Sequence, residues 1–110
     1  MDAIVKRLME NHKLNESTKI DIKKLETEIR EKVKEIMTSP EFGFEDDYDQ
    51  YSTVEVYDKD NHYEVEVRAE VSYDGMMDMA NALDPIIEKY DKDAYFDMVT
   101  SGIMSAYVMK

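Results

Sequence analysis

Apolar positions recur every three or four residues in the first third of the chain and alternate in the second half. Ile4, Val5, Leu8 and Met9 predict a short amphipathic helix over residues 2–13. Ile22, Leu25, Ile29, Val33 and Ile36 form the stripe of a longer one, with Glu26 to Arg30 and Glu28 to Lys32 at the supporting i,i+4 spacing. Ser39-Pro40 ends it, because the residue before proline disfavours the α region. Residues 41–50, EFGFEDDYDQ, follow neither period and read as a loop.

Residues 51–73, YSTVEVYDKDNHYEVEVRAEVSY, alternate on both sides of Asp58-Lys59-Asp60-Asn61 and predict a β-hairpin. Val54, Val56, Tyr63, Val65, Val67, Ala69 and Val71 fall on its inner face; Glu55, Glu64, Glu66, Arg68 and Glu70 fall on the outer one. A four-residue loop sets Glu55 opposite Glu64 and a two-residue loop sets it opposite Glu66. Either register opposes like charges, at a cost of a few tenths to about 1 kcal/mol, and so calls for nearby cations or a functional reason.

Asp74-Gly75 opens a third helical pattern, with Met76, Met79, Ala80, Leu83, Ile87 and Tyr90 on one side. Pro85 either kinks this helix or begins a fresh turn capped by Asp84. AYFDMV and IMSAYVM flank Thr100-Ser101-Gly102, with glycine where a left-handed residue is wanted, and predict a second hairpin. Its register pairs Met98 with Met104 and Phe96 with Ala106 on one face, and Val99 with Ile103 and Tyr95 with Tyr107 on the other. The expected fold is α+β, in the order ααββαββ, with a mainly antiparallel sheet packed against helices. It forms one domain over 1–110: helical to residue 38, an acidic loop at 41–50, then an acidic ββαββ unit.

Charge separates these regions. Residues 1–38 carry nine Lys/Arg and eight Asp/Glu, whereas 41–110 carry five and eighteen, a net of −13. Such a field repels phosphate backbones and attracts basic surfaces. Direct nucleic-acid binding is therefore disfavoured, and the second helix, alternating Lys and Glu, lacks the basic stripe of a helix-turn-helix reader. There is no cysteine, no apolar run of membrane-spanning length and no signal-peptide pattern at the N-terminus, so a cytoplasmic protein without disulfides is expected.

Candidate chemistry is sparse. His12 and Glu16 have i,i+4 spacing but lack further zinc ligands. The segment from Asp58 fails as a calcium loop, because its twelfth position is Ala69. No nucleophile, base or phosphate-cradling glycine loop stands out, so neither catalytic residues nor a cofactor or metal site is expected. Six of the nine methionines lie between Met76 and Met109 and are expected chiefly in the core.

These observations point to a non-catalytic interaction module that binds a basic protein surface, one that normally holds nucleic acid. The expected contact residues are Glu41, Glu45, Asp46, Asp47 and Asp49 in the loop, with Glu55, Glu64, Glu66 and Glu70 on the hairpin. In charge and length alone, with no shared motif, the chain is similar to phage and mobile-element inhibitors that mimic DNA, such as anti-restriction and anti-CRISPR proteins. The alternative is a small accessory domain forming a homodimer through Tyr95, Val99, Ile103 and Tyr107, its acidity serving solubility alone.

Overall fold

The computed structural model describes residues 21–110; the helix expected at 2–13, and His12 and Glu16, lie outside them. Helix α1 spans Ile22–Met37, and Asp21 caps it by accepting the Lys24 N–H at 3.1 Å. Leu25, Ile29, Val33 and Met37 are buried, while Ile22 and Ile36 flank them half-buried. The stripe thus closes on Met37 instead of Ile36. Its last carbonyls are taken by the Thr38 and Ser39 hydroxyls, and Phe44 N–H bonds back to the Met37 carbonyl. Gly43, at φ +77°, permits that reversal.

The segment expected to be a plain loop contains a 3₁₀ turn, Asp46–Gln50. Phe42, Phe44 and Tyr48 are its anchors: all three pack on the core, Phe44 lies 5.2 Å from the Tyr51 ring, and Lys34 sits over Tyr48. Helix α2, Tyr73–Glu88, is capped by the Ser72 hydroxyl, which accepts from Gly75 N–H at 3.0 Å. It runs on through Pro85 without a fresh cap; Asp84 instead accepts the Phe96 N–H at 2.9 Å, steering the chain into the last hairpin.

Strands β1 (Ser52–Asp58), β2 (His62–Ala69), β3 (Asp97–Thr100) and β4 (Ile103–Met109) form one antiparallel sheet in the order β1-β2-β4-β3. Pairing of Glu55 with Glu66 settles the first hairpin on the two-residue register. No non-glycine residue described has positive φ, so Asp60 and Asn61 do not adopt the left-handed turn that suits such hairpins best. Lys110 supports the tip from outside: its ammonium donates to the Asp58 carboxylate and the Lys59 carbonyl, and its N–H to the Asn61 carbonyl. In the second hairpin Met98 pairs with Met104 as expected, but Thr100, not Val99, pairs with Ile103, because a bulge displaces Val99.

Both helices pack on one face of the sheet, closing a core of α1 and α2 residues against Val54, Val65, Val67, Ala69, Met104, Ala106 and Val108. Val56 and Val71 pack on its margin, half-buried, and Tyr63 is half-exposed, so three of the seven inner-face positions are rim and not centre. Met37, Met76, Met79 and Met104 are buried, whereas Met109 is exposed. The expected Glu28 to Lys32 pair is absent. Glu28 instead joins the helices, accepting from Lys89 at 2.7 Å and from the Tyr90 hydroxyl at 2.9 Å, and Lys32 turns to Glu35. No helix among the described residues is long and apolar enough to cross a membrane.

Candidate functional site

Strand alternation sends every second side chain of the sheet away from the helices, and no described element covers that second face. Register aligns its residues across the strands. One row runs Glu55, Glu66, Ser105, Asp97 from β1 to β3; the next runs Tyr57, Glu64, Tyr107; a third runs Thr53, Arg68, Ile103. Carboxylates therefore stand on three of the four strands, and on β4 Ser105 occupies the row.

Glu66 lies at the centre of this face with its side chain only 14% exposed. A carboxylate so covered requires partners. Arg68 Nε donates to Glu66 Oε1 at 3.3 Å, and the Tyr57 hydroxyl donates to the same oxygen at 3.4 Å. The Glu66 charge, followed by partial burial and Glu55, pushes the Tyr57 hydroxyl above the ordinary tyrosine range. Glu64 accepts from the Ser105 hydroxyl at 3.2 Å, which satisfies one of the few buried polar side chains. Glu55 and Asp97 are exposed, and neither has a cation partner among the described residues. Among the described residues, the cations that the opposed glutamates called for thus reduce to Arg68, which serves Glu66 and not Glu55.

Aromatic and apolar groups share the face. Tyr95, Val99 and Tyr107 are 59%, 63% and 56% exposed and, with Asp97 and Ser105, line a shallow hollow of about 330 Å³. His62 meets the Tyr107 ring edge-on at 5.0 Å. Ile103 is half-buried, so the four residues expected to form a self-association patch present three prominent side chains.

Of the nine acids expected at a partner contact, the structure brings Glu55, Glu64 and Glu66 onto one face. Glu70 sits at the end of that face, lining a hollow with Thr53, Arg68 and Ile103. It also lines a second groove, of about 370 Å³, with Glu41, Phe42, Phe44, Asp74 and Asp78. Glu45, Asp46, Asp47 and Asp49 ring the 3₁₀ turn, exposed, and Asp49 borders the start of β1 beside Arg30 and Tyr48. The loop acids therefore surround one end of the sheet instead of extending its open face. Asp97 and Ser105 were missed, although the alternation of Tyr95, Asp97 and Val99 already placed Asp97 beside the tyrosines.

Among the described residues no group of three or more His, Asp or Glu side chains is arranged to hold a metal ion. The chemistry that the face offers is a lattice of hydrogen-bond acceptors and negative charge on a rigid sheet, with tyrosines able to stack on guanidinium or cover aliphatic stems. Comparison with protein-family models, with curated proteins and with solved structures found no match.

Proposed function

We propose that this protein is a non-catalytic interaction module whose open sheet face docks on a basic surface of another protein, one shaped to hold nucleic acid. The observation that carries this is the Glu55, Glu66, Ser105, Asp97 row: anionic groups spaced by strand geometry, about 14 Å from end to end. Glu66 is fixed at its centre by hydrogen bonds from Arg68 and Tyr57. A surface built for a phosphate backbone reads spaced negative charge through Lys and Arg, and this row supplies three carboxylates on a fixed frame, with Ser105 at the remaining place. The phage and mobile-element inhibitors similar to it in charge and length belong to the same functional class.

Self-association through Tyr95, Val99 and Tyr107 is the competing use of the same face. Tyr107 pairs with Glu64, and Asp97 lies in the hollow between the aromatic groups, so burying this patch against a second copy draws the acids of both copies together. With a formal charge of −12 on each chain, a cationic partner is the better match.

The test is binding of a polyarginine peptide at rising salt, with two double variants of equal net charge. Glu55→Lys/Asp97→Lys alters the open face, and Glu31→Lys/Glu88→Lys alters exposed helix positions. The first pair is expected to weaken binding about tenfold or more and the second about threefold or less, with a steep salt dependence for the parent protein. Equal losses from the two pairs would mean that net charge alone is read, and would remove the face from the account.

A further inference from the structure

The hollow at the β3 end of the open face is anchored from behind. Tyr95 stands between two buried residues, Ala94 and Phe96; Ala94 N–H bonds the Asp91 carbonyl at 2.9 Å, and Phe96 N–H bonds the Asp84 carboxylate at 2.9 Å. The Tyr95 side chain is nevertheless 59% exposed. Tyr107, 56% exposed, rises from β4, and His62 meets its ring edge-on at 5.0 Å. Two large aromatic side chains are thus held in water by an ordered main chain, so a binder that meets them has little further ordering to impose.

The polar side chains of the hollow set its chemistry. Asp93 and Asp97 are exposed, and neither forms an ion pair among the described residues, not even with Lys92 nearby in the chain. Ser105, 6% exposed, donates its one hydroxyl proton to Glu64 at 3.2 Å, which leaves its oxygen as an acceptor. Two carboxylates and this oxygen therefore line the hollow beside aromatic surface. The ligand that suits such a lining carries positive charge, several N–H donors and a flat face. A guanidinium group has all three, with five donors and no acceptor. An ammonium has the charge without the plane. A quaternary ammonium suits aromatic rings but has no N–H to give the acceptors.

From this we infer that the hollow is an arginine anchor: one arginine of the partner enters it, stacks its guanidinium on Tyr95 or Tyr107 and donates to Asp97 and Asp93. The inference rests on the docking function proposed above and gives that function its most selective contact. At about 330 Å³ the hollow has room for the group and its aliphatic stem, which the rings cover.

The test compares two capped heptapeptides of equal charge, one all lysine and one with a single central arginine. We expect the arginine peptide to bind about fivefold more tightly. Tyr95→Leu/Tyr107→Leu, at two positions more than half exposed, should reduce that preference to less than twofold and leave the affinity for the lysine peptide unchanged, whereas Tyr95→Phe/Tyr107→Phe should retain it. In NMR spectra of the unaltered protein, the ring signals of Tyr95 and Tyr107 should shift with the arginine peptide, and those of Tyr73, as exposed at the start of α2, should not. A preference below twofold in the unaltered protein, one that survives the leucine pair, or unmoved Tyr95 and Tyr107 signals would overturn the anchor while leaving charge-based docking in place. A dimer that the leucine pair dissociates would also overturn it, by giving the hollow to a second copy. If neither these peptides nor polyarginine binds, both proposals fall.

Discussion

Glu55 offers a perturbation in which stability and docking move in opposite directions. It pairs across the hairpin with Glu66, and two unit charges about 6 Å apart repel by about 0.7 kcal/mol in water-like surroundings. Arg68, 3.3 Å from Glu66, offsets part of this and leaves about 0.5 kcal/mol. Glu55→Gln keeps the shape of the side chain and removes the repulsion, so it should stabilise the fold by about 0.5 kcal/mol. Glu55→Lys replaces repulsion with attraction and should gain about 1 kcal/mol. For a domain of this size these correspond to rises in Tm of roughly 2–4 °C and 4–8 °C.

Urea unfolding at low salt reads the difference directly, and repetition near 0.5 M salt isolates its electrostatic part, since exposed charges are then screened within about 4–5 Å. The gain should shrink by about half or more in high salt. Both substitutions should at the same time weaken polyarginine binding, the trade expected where a residue is kept for function against stability. If Glu55→Gln is neutral or destabilising at low salt, the opposed glutamates carry no strain, and the strongest reason for treating this face as selected for a partner disappears.

The bridge between the helices makes stability pH-dependent at both extremes. Hydrogen bonding from Lys89 and Tyr90 holds the Glu28 carboxyl below its ordinary value against the opposing effect of burial, so its contribution is present above about pH 4.5 and is lost as pH falls through the lowered value. Burial, followed by the bond to Glu28, pushes the Tyr90 hydroxyl up to about 12; its contribution is complete below pH 10.0 and is lost on the way to 12. Urea midpoints at pH 3, 7 and 11 should therefore show a smaller acid loss in Glu28→Gln and a smaller alkaline loss in Tyr90→Phe, and unchanged slopes would refute the bridge. Gly102, at φ +78°, would place a Cβ 3.0 Å from the Ala69 carbonyl, whereas one on Gly43, at +77°, meets nothing within 4 Å. Gly102→Ala should cost about 1–3 kcal/mol and clearly more than Gly43→Ala, and equal costs in denaturant titrations would show that contact to be soft.

Local periodicity foretold the elements that face a single core. The stripe Leu25, Ile29, Val33 and the alternation of Val54, Val65 and Val67 each follow from one period, and burial enforces it. What long-range contacts decide was not legible. Both hairpin registers suited the turn residues, and Lys110, about fifty positions away, braces the one adopted. Glu28 had a helical neighbour at the favoured spacing, yet a half-buried tyrosine and a lysine just past the end of α2 form the stronger site. At the candidate site the opposed glutamates could be read from alternation, whereas alignment of Asp97 with them depended on β2 pairing with β4, a choice that no local pattern records.

Acidity that served solubility alone could occupy any exposed position, and the cheapest positions are those where water solvates each carboxylate fully. Glu45, Asp46 and Asp47 fit that description, exposed around the 3₁₀ turn. Glu66 does not. Its side chain is largely withdrawn from water and opposes another glutamate, and an arginine and a tyrosine are committed to keeping it there. Thr or Val at position 66 would satisfy strand propensity and remove the repulsion, with no loss of solubility in a chain that has 25 other acids. An anion retained at such a cost favours a use for its position. The only row in which that position lines up with other carboxylates is the one from Glu55 to Asp97.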